Sequence, residues 1–165
     1  MNIEPFVICP PGKKPPKPRP VHTAGGLADR LRSAAFAEKQ AIHAFTWACE
    51  RFDDVPQALL DDWARQIPEE IKHYQLIVDR MDELGFSLSE RPVSLRLWES
   101  LEECESGREF CLRIAGAEER GRQAGVLLMN YLEEKDPETA AVFKTIVTEE
   151  VAHVQLADTY FGWTP

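Results

Sequence analysis

The chain contains the spacing Glu-x-x-His twice, and the two copies lie eighty residues apart. Residues three apart in a helix are neighbours on its surface, so each copy can bind one metal ion from one helix face. A lone glutamate precedes each copy, again at an offset of eighty residues. The six candidate metal ligands are Glu38, Glu70, His73, Glu118, Glu150 and His153.

Four carboxylates and two imidazoles form a chemically informative set of ligands. Four ionised carboxylates buried together repel one another and lose hydration at a cost of several kcal/mol each, unless they take up protons. Two divalent cations would balance the four negative charges and remove that cost. The set matches the dinuclear sites that helical bundles build from inward-facing side chains. The competing interpretation places these glutamates on exposed, unrelated acidic faces.

The sequence around the candidate ligands repeats at the same offset. AEKQAIHA aligns with AEERGRQA, and EEIKHYQL aligns with EEVAHVQL. Each half of the chain is therefore predicted to be a helical hairpin that cannot bury its apolar stripe alone. Two such hairpins predict a four-helix bundle with internal pseudo-twofold symmetry.

Apolar residues at helical spacing predict four long helices and no strand. A connection with a short helix at LWESLEEC joins the second long helix to the third, as a long crossover. Pro68 lies inside the second helical pattern, where it either kinks the helix or divides it into two. The predicted long helices cover about 26–53, 56–84, 106–134 and 137–162.

Residues 1–22 form a separate region, a proline-rich basic arm, ahead of a bundle domain at 23–165. Most of the 12 prolines lie in the first twenty residues, a density that is typical of polyproline II and excludes a helix. The arm either lies across the body or extends freely.

Charge and composition limit the function classes. The net charge is −9 although the arm is basic, so the body is strongly acidic and a nucleic-acid partner is not expected. No apolar run approaches the ~20 residues of a membrane span, and no membrane partner is expected. The four cysteines form no CxxC pair and are interpreted as reduced thiols, which together with the lack of a secretory signal favours the cytoplasm.

The motifs and their order resemble the ferritin-like superfamily over about 26–161. More narrowly, AEKQAI, PVSLRLWE, EERG and EEVAH resemble an uncharacterised bacterial ferritin-like family, itself similar to the di-iron tRNA hydroxylase. The resemblance implies that Glu38 and His73 are terminal ligands of one metal. It implies that Glu118 and His153 are those of the other, and that the Glu of each Glu-x-x-His pair bridges the two.

What the resemblance implies for function is the reduction of dioxygen by two ferrous ions. The leading hypothesis is an O₂-activating oxidoreductase, an oxygenase or oxidase, that acts on an unidentified small organic substrate. The alternative is an iron-oxidising, iron-storage or other metal-binding protein, or a bundle that keeps metal only to fold. Iron is the expected metal, with manganese or a mixed Mn/Fe pair as alternatives. The sequence is compatible with an electron-donor partner and with a homodimer, and it does not decide either.

Two further pairs of residues have alternative interpretations. Glu69 and Glu149 precede the bridging glutamates and point about 100° away from them, so they are either solvated or support the ligands. Gly121 and Gly125 lie on the helix face of Glu118, where they either leave a pocket beside the metals or allow close helix packing. His43 is predicted to be a surface or packing residue.

Overall fold

The computed structural model describes residues 1–10 and 12–165, which contain five helices. Pro11, one of the prolines of the predicted arm, lies outside the described residues. The all-α class is confirmed, since the described residues contain one isolated β-bridge, between Ile8 and Val93, and no strand. None of the helices in these two ranges is both long enough and apolar enough to cross a membrane. The helices are α1 (Ala24–Arg51), α2 (Gln57–Glu83), α3 (Arg96–Glu102), α4 (Gly107–Leu132) and α5 (Pro137–Phe161).

Local capping signals place the helix ends within two residues of the predicted positions. The Ser106 hydroxyl accepts a hydrogen bond from the Glu109 backbone N–H at 3.1 Å at the start of α4. The Asp136 side chain caps α5 ahead of Pro137, whose missing N–H is tolerated in the first turn. Gly162 ends α5 with φ of 62°, in the left-handed region that favours glycine.

Pro68 lies within α2 without ending it. The helix is continuous from Gln57 to Glu83, so the alternative of two separate helices is wrong. Pro68 lacks the N–H that would bond the Ala64 carbonyl, but the packing of both flanking segments into the bundle holds the helix together. The continuity of α2 at Pro68 helps to position the candidate ligand Glu70, which follows Pro68 by two residues.

The long helices pair in the order that the internal repeat predicts. α1 packs antiparallel against α2, and α4 packs antiparallel against α5. The start of α4 lies with the end of α1, while α2 ends at the opposite end of the bundle. The connection at 84–106, which contains α3, must therefore run the length of the bundle, and the predicted long crossover is confirmed.

The apolar core consists of two clusters, one toward each end of the bundle. One is built around aromatic side chains that include Phe45, Trp63 and Phe110. The other includes Phe36 and Ile77. The candidate ligands lie along the four long helices between these clusters, so the hydrophobic residues shield the site from water on both sides.

The proline-rich arm lies across the body. Phe6 is buried, and its ring centroid is 4.8 Å from that of Phe36 on α1. The backbone of Val93 in the crossover donates to the Val7 carbonyl and accepts from Cys9 N–H, both at 2.8 Å. An aromatic anchor and a short backbone ladder thus hold the first part of the arm on the bundle.

A buried carboxylate joins the arm, α1 and the crossover. Asp29 on α1 forms ion pairs with Arg19 of the arm, Arg32 of α1 and Arg91 of the crossover. Burial by itself would raise the pKa of Asp29, but hydrogen bonds from Arg19 and the charge of Arg91 hold that pKa well below its usual range. The ionised form of Asp29 therefore links three segments of the chain.

Candidate metal centre

All six side chains singled out by spacing meet at the middle of the bundle. They form two groups of four in which one donor atom per residue lies within 4.8 Å of the others. The first group contains Glu38 of α1 and His73 of α2, and the second contains Glu118 of α4 and His153 of α5. Both groups include Glu70 and Glu150, which is the sharing that the resemblance implies.

The histidines present the same ring nitrogen, Nδ1, to the centre. Nδ1 of His73 lies 3.3 Å from Glu150 and 3.9 Å from Glu38. Nδ1 of His153 lies 2.8 Å from Glu70 and 3.5 Å from Glu150. Each histidine thus approaches a candidate ligand of the opposite hairpin, Glu150 or Glu70, so the two hairpins close around one centre.

The other ring nitrogen of each histidine donates to a carboxylate on the opposite hairpin. Nε2 of His73 donates to Glu149 at 2.7 Å, and Nε2 of His153 donates to Glu69 at 2.8 Å. Each carboxylate fixes its histidine in the tautomer that leaves Nδ1 free to bind a metal. The geometry therefore favours the interpretation in which Glu69 and Glu149 support the candidate ligands. Their shared offset of eighty residues was the available sequence signal.

The symmetry of these outer contacts is broken by one lysine. Lys72 on α2 forms an ion pair with Glu149. The position eighty residues later is Ala152, which has no charge to offer Glu69. Contacts with Lys72 and His73 outweigh burial and lower the pKa of Glu149. The two halves of the site therefore differ in the charge around their outer carboxylates.

The interior of the site contains polar atoms that lack protein partners. Within the described residues, both carboxylate oxygens of Glu70 and of Glu118 are buried without a hydrogen bond, as is Nδ1 of both histidines. The 2.8 Å contact from His153 to Glu70 lacks hydrogen-bond geometry. Buried polar groups are almost always satisfied in native proteins. These unpartnered donor atoms lie close to one another, so the set of residues fits a metal centre, whose positive charge would satisfy them.

Burial and mutual repulsion shift the acidity of the site. Burial raises the pKa of Glu38 and of Glu118 well above that of an ordinary glutamate, and the neighbouring carboxylates raise it further. Burial lowers the pKa of His153, but contacts with Glu150 and Glu70 outweigh it and raise the pKa. Protons therefore partly offset the concentrated negative charge when no metal is bound.

An apolar space adjoins the carboxylates on the side of α1 and α4. A cavity of about 100 Å³ borders all four glutamates, and a larger one of about 630 Å³ continues it outward. Gly121 and Gly125 line both cavities. A Cβ added at Gly121 would meet nothing within 4 Å, whereas one at Gly125 would lie 2.7 Å from Val147. The pocket interpretation thus suits Gly121, and the packing interpretation suits Gly125.

His43 lies in neither group of candidate ligands. Its ring packs against Trp98 of α3 with the centroids 4.3 Å apart, and burial lowers its pKa. The packing interpretation of His43 therefore agrees with its position.

A family model described as "Protein of unknown function (DUF455)" matches residues 4–165. The chain belongs to the DUF455 family. The matched residues include every candidate ligand and most of the proline-rich arm.

A curated relative and a solved structure that are similar to this DUF455 member can be compared with it. An uncharacterised protein of Haemophilus influenzae (strain ATCC 51907 / DSM 11121 / KW20 / Rd) is 26% identical over 170 residues, which cover 96% of this chain and 57% of that protein. The chain thus spans little more than half the length of this relative. The bacterioferritin-related protein from Bacteroides fragilis, described as a dodecameric thioferritin, superposes with a TM-score of 0.69 at 22% identity. That alignment covers 82% of this chain and 84% of the other. The fold is ferritin-like, and its clustered Glu and His side chains can hold metal ions.

Proposed function

We propose that this protein is a dimetal oxidoreductase, with iron as the metal, that activates O₂ and acts on a small organic substrate. The observation that carries the proposal is the set of buried, unpartnered donor atoms contributed by four helices around one centre. Two ions of charge +2 satisfy those atoms and offset four carboxylates. Two ferrous ions, when bound, supply electrons for the reduction of dioxygen.

The residues of the chain have distinct roles in this proposal. Glu38 and Glu118 would each hold one metal, and Glu70 and Glu150, which belong to both groups of donors, would hold both. His73 and His153 complete the set through Nδ1, held in that tautomer by the outer carboxylates. The aromatic cluster beside the site excludes water, which strengthens each of these electrostatic contacts.

The apolar cavity favours an organic substrate. A protein that only oxidises iron needs a path for hydrated ions, for which a polar lining is suited. Here the larger cavity, which continues outward from the space beside the carboxylates, is lined mainly by alanine, glycine, leucine and aromatic side chains. A small organic molecule fits that lining better than a hydrated cation does.

Iron oxidation and storage is the second candidate. The ferritin-like fold and the name of the similar Bacteroides fragilis protein, a thioferritin, favour it. Under that function iron itself is the substrate, and the chain would take up iron over many cycles within a large closed shell.

Anaerobic loading with ferrous iron followed by exposure to O₂ tests the proposal. We expect about two iron ions per chain by elemental analysis, O₂ consumption limited to that amount without a substrate, and a discrete small assembly by light scattering. His73→Ala and His153→Ala should each remove about one ion, while His43→Ala, outside the ligand groups, should retain both. Uptake of many ions per chain in a large shell would favour storage, and failure to bind metal would refute both functions.

A further inference from the structure

The larger cavity has the dimensions of a binding site for a small molecule. Its volume is about 630 Å³, within the range of about 300–1,000 Å³ that is usual for such sites. It lies between α1 and α4 and shares Ala34, Ala37, Gly121, Gly125 and Phe143 with the smaller space that borders the four glutamates. The two cavities together lead from the outside of the bundle to the candidate metal centre.

Small side chains on the facing helices create the cavity. Ala34 and Ala37 line it from α1, and Gly121 and Ala124 line it from α4. Leu127 lines its outer part and is 72% exposed, which marks the end that faces solvent. An extended apolar group that enters beside Leu127 would therefore meet small side chains on its way toward the glutamates.

One positive charge lines this apolar cavity. Arg30 on α1 is half-buried there, and its Nη1 donates to the carbonyls of Arg19 and Gly26. Within residues 1–10 and 12–165, Arg30 forms no ion pair, unlike Arg19 and Arg32 nearby. Backbone carbonyls orient the guanidinium but do not neutralise it, so its remaining N–H groups can bind an anion.

The backbone positions of Arg30 and Glu38 give an approximate scale for the length of the ligand. They lie eight residues apart on α1, which corresponds to about 12 Å along the helix axis. A medium-length alkyl chain spans that distance. The cavity combines one cationic side chain, Arg30, with a long apolar lining. Such a site matches a molecule that has an apolar chain and one negative charge at one end.

We propose that this cavity binds an unbranched aliphatic carboxylate of medium chain length. The carboxylate contacts Arg30, and the alkyl chain runs past Gly121 toward Glu38 and Glu118. A single planar guanidinium matches a single carboxylate in charge and geometry. The assignment of this molecule as a substrate rests on the proposed function, whereas its binding depends only on the cavity and Arg30.

Calorimetric titration with decanoate tests the charge requirement. We expect one decanoate per chain. Arg30→Gln should weaken decanoate binding about tenfold or more, through the loss of a charge-assisted hydrogen bond, and leave decanol binding unchanged. Arg30→Lys should restore much of the affinity. Arg120→Gln should have no effect, because Arg120 is an exposed arginine of α4 that forms no ion pair with the described part of the chain. Equal decanoate binding by the wild type and Arg30→Gln would overturn the assignment.

A second substitution tests the location of the alkyl chain. Gly121→Leu adds a side chain in open space, so it should abolish binding of both decanoate and decanol without lowering the melting temperature. Gly116→Ala, at a second α4 glycine where the added Cβ makes only ordinary contacts, controls for the general effect of replacing a helical glycine. Unchanged binding by Gly121→Leu would contradict the proposal. So would a concentration-dependent dimer that Leu127→Glu dissociates, because a second copy of the chain would then cover the cavity.

Iron analysis of the same samples separates this proposal from the proposed function. Iron binding without decanoate binding would refute the ligand class and leave the metal function intact. Decanoate binding by a protein that binds no iron would refute the metal function and leave the ligand class intact.

Discussion

Glu149 of α5 accepts a hydrogen bond from Nε2 of His73 on α2, at a distance of 2.7 Å. The contact crosses from one hairpin to the other, and Glu69 of α2 makes the reciprocal contact with His153 of α5 at 2.8 Å. The geometry of each histidine is therefore set by the hairpin that does not contain it. As a result, metal binding should depend on the docking of the two hairpins as well as on the ligands themselves.

We expect Glu149→Gln to weaken metal binding at the half-site of His73 by about 10–100-fold, the usual effect of losing an outer carboxylate. Competition with a chromophoric chelator measures the two affinities. Glu69→Gln should affect the His153 half-site in the same way. Because Glu149 also pairs with Lys72, Lys72→Met should weaken binding at the His73 half-site less than Glu149→Gln does. Unchanged affinity in both glutamine variants would show that the outer carboxylates are dispensable.

Glu118→Gln should stabilise the metal-free protein, because both oxygens of Glu118 are buried without hydrogen bonds and near other carboxylates. The same change should reduce the stabilisation by metal, which for the wild type amounts to about 3–4 kcal/mol when free metal is 100–1,000 times Kd. Thermal unfolding with and without a chelator provides both values. Glu119→Gln is the neighbouring control, since Glu119 pairs with Arg122 outside the ligand groups. A metal-free Glu118→Gln protein that melts below the wild type would contradict the expected relief of buried charge.

Gly125→Leu should lower the free energy of unfolding by about 1–3 kcal/mol, a typical cost of overpacking. A Cβ at Gly125 would lie 2.7 Å from Val147 Cγ1, and the remaining atoms of leucine need still more room. Urea denaturation measures the change. Gly125→Leu combined with Val147→Ala should recover part of the loss, because the second change removes the clashing methyl groups. A Gly125→Leu protein as stable as the wild type would show that α4 and α5 can separate at this point.

Asp29→Asn should lower stability at neutral pH by about 1.5–3 kcal/mol, since charge-assisted hydrogen bonds to Arg19 and Arg91 are lost. The pKa of Asp29 is lowered in the folded state. Its contribution is therefore fully present above its unfolded value of about 3.9 and is lost as the pH falls through the folded value. The difference between wild type and variant should shrink in acid. Asp53→Asn, at an exposed aspartate, is the control, and a difference that grows in acid would contradict the linkage.

The six candidate ligands could be found in the sequence because the internal repeat places them at one common offset. A repeat of eighty residues brings Glu38 into register with Glu118 and His73 with His153, and helical spacing then aligns each Glu with its His. Helix existence and approximate bounds followed from apolar periodicity, and the turn signals before Pro56 and Pro137 marked where each hairpin reverses. These features are local or depend on one offset, so they need no knowledge of packing.

Only the tertiary structure decided how the two hairpins meet. Periodicity places Glu149 about 100° from its neighbour Glu150, but only the distance between α2 and α5 shows that Glu149 contacts His73. Gly121 and Gly125 share a helix face in sequence, yet α5 packs against one while the other faces the gap toward α1. Polyproline composition indicates an extended arm, whereas its attachment depends on Phe6 and Val93, residues that are far apart in the chain. Contacts between distant segments arise from the packing of whole helices, and a one-dimensional pattern does not contain the separation between their axes.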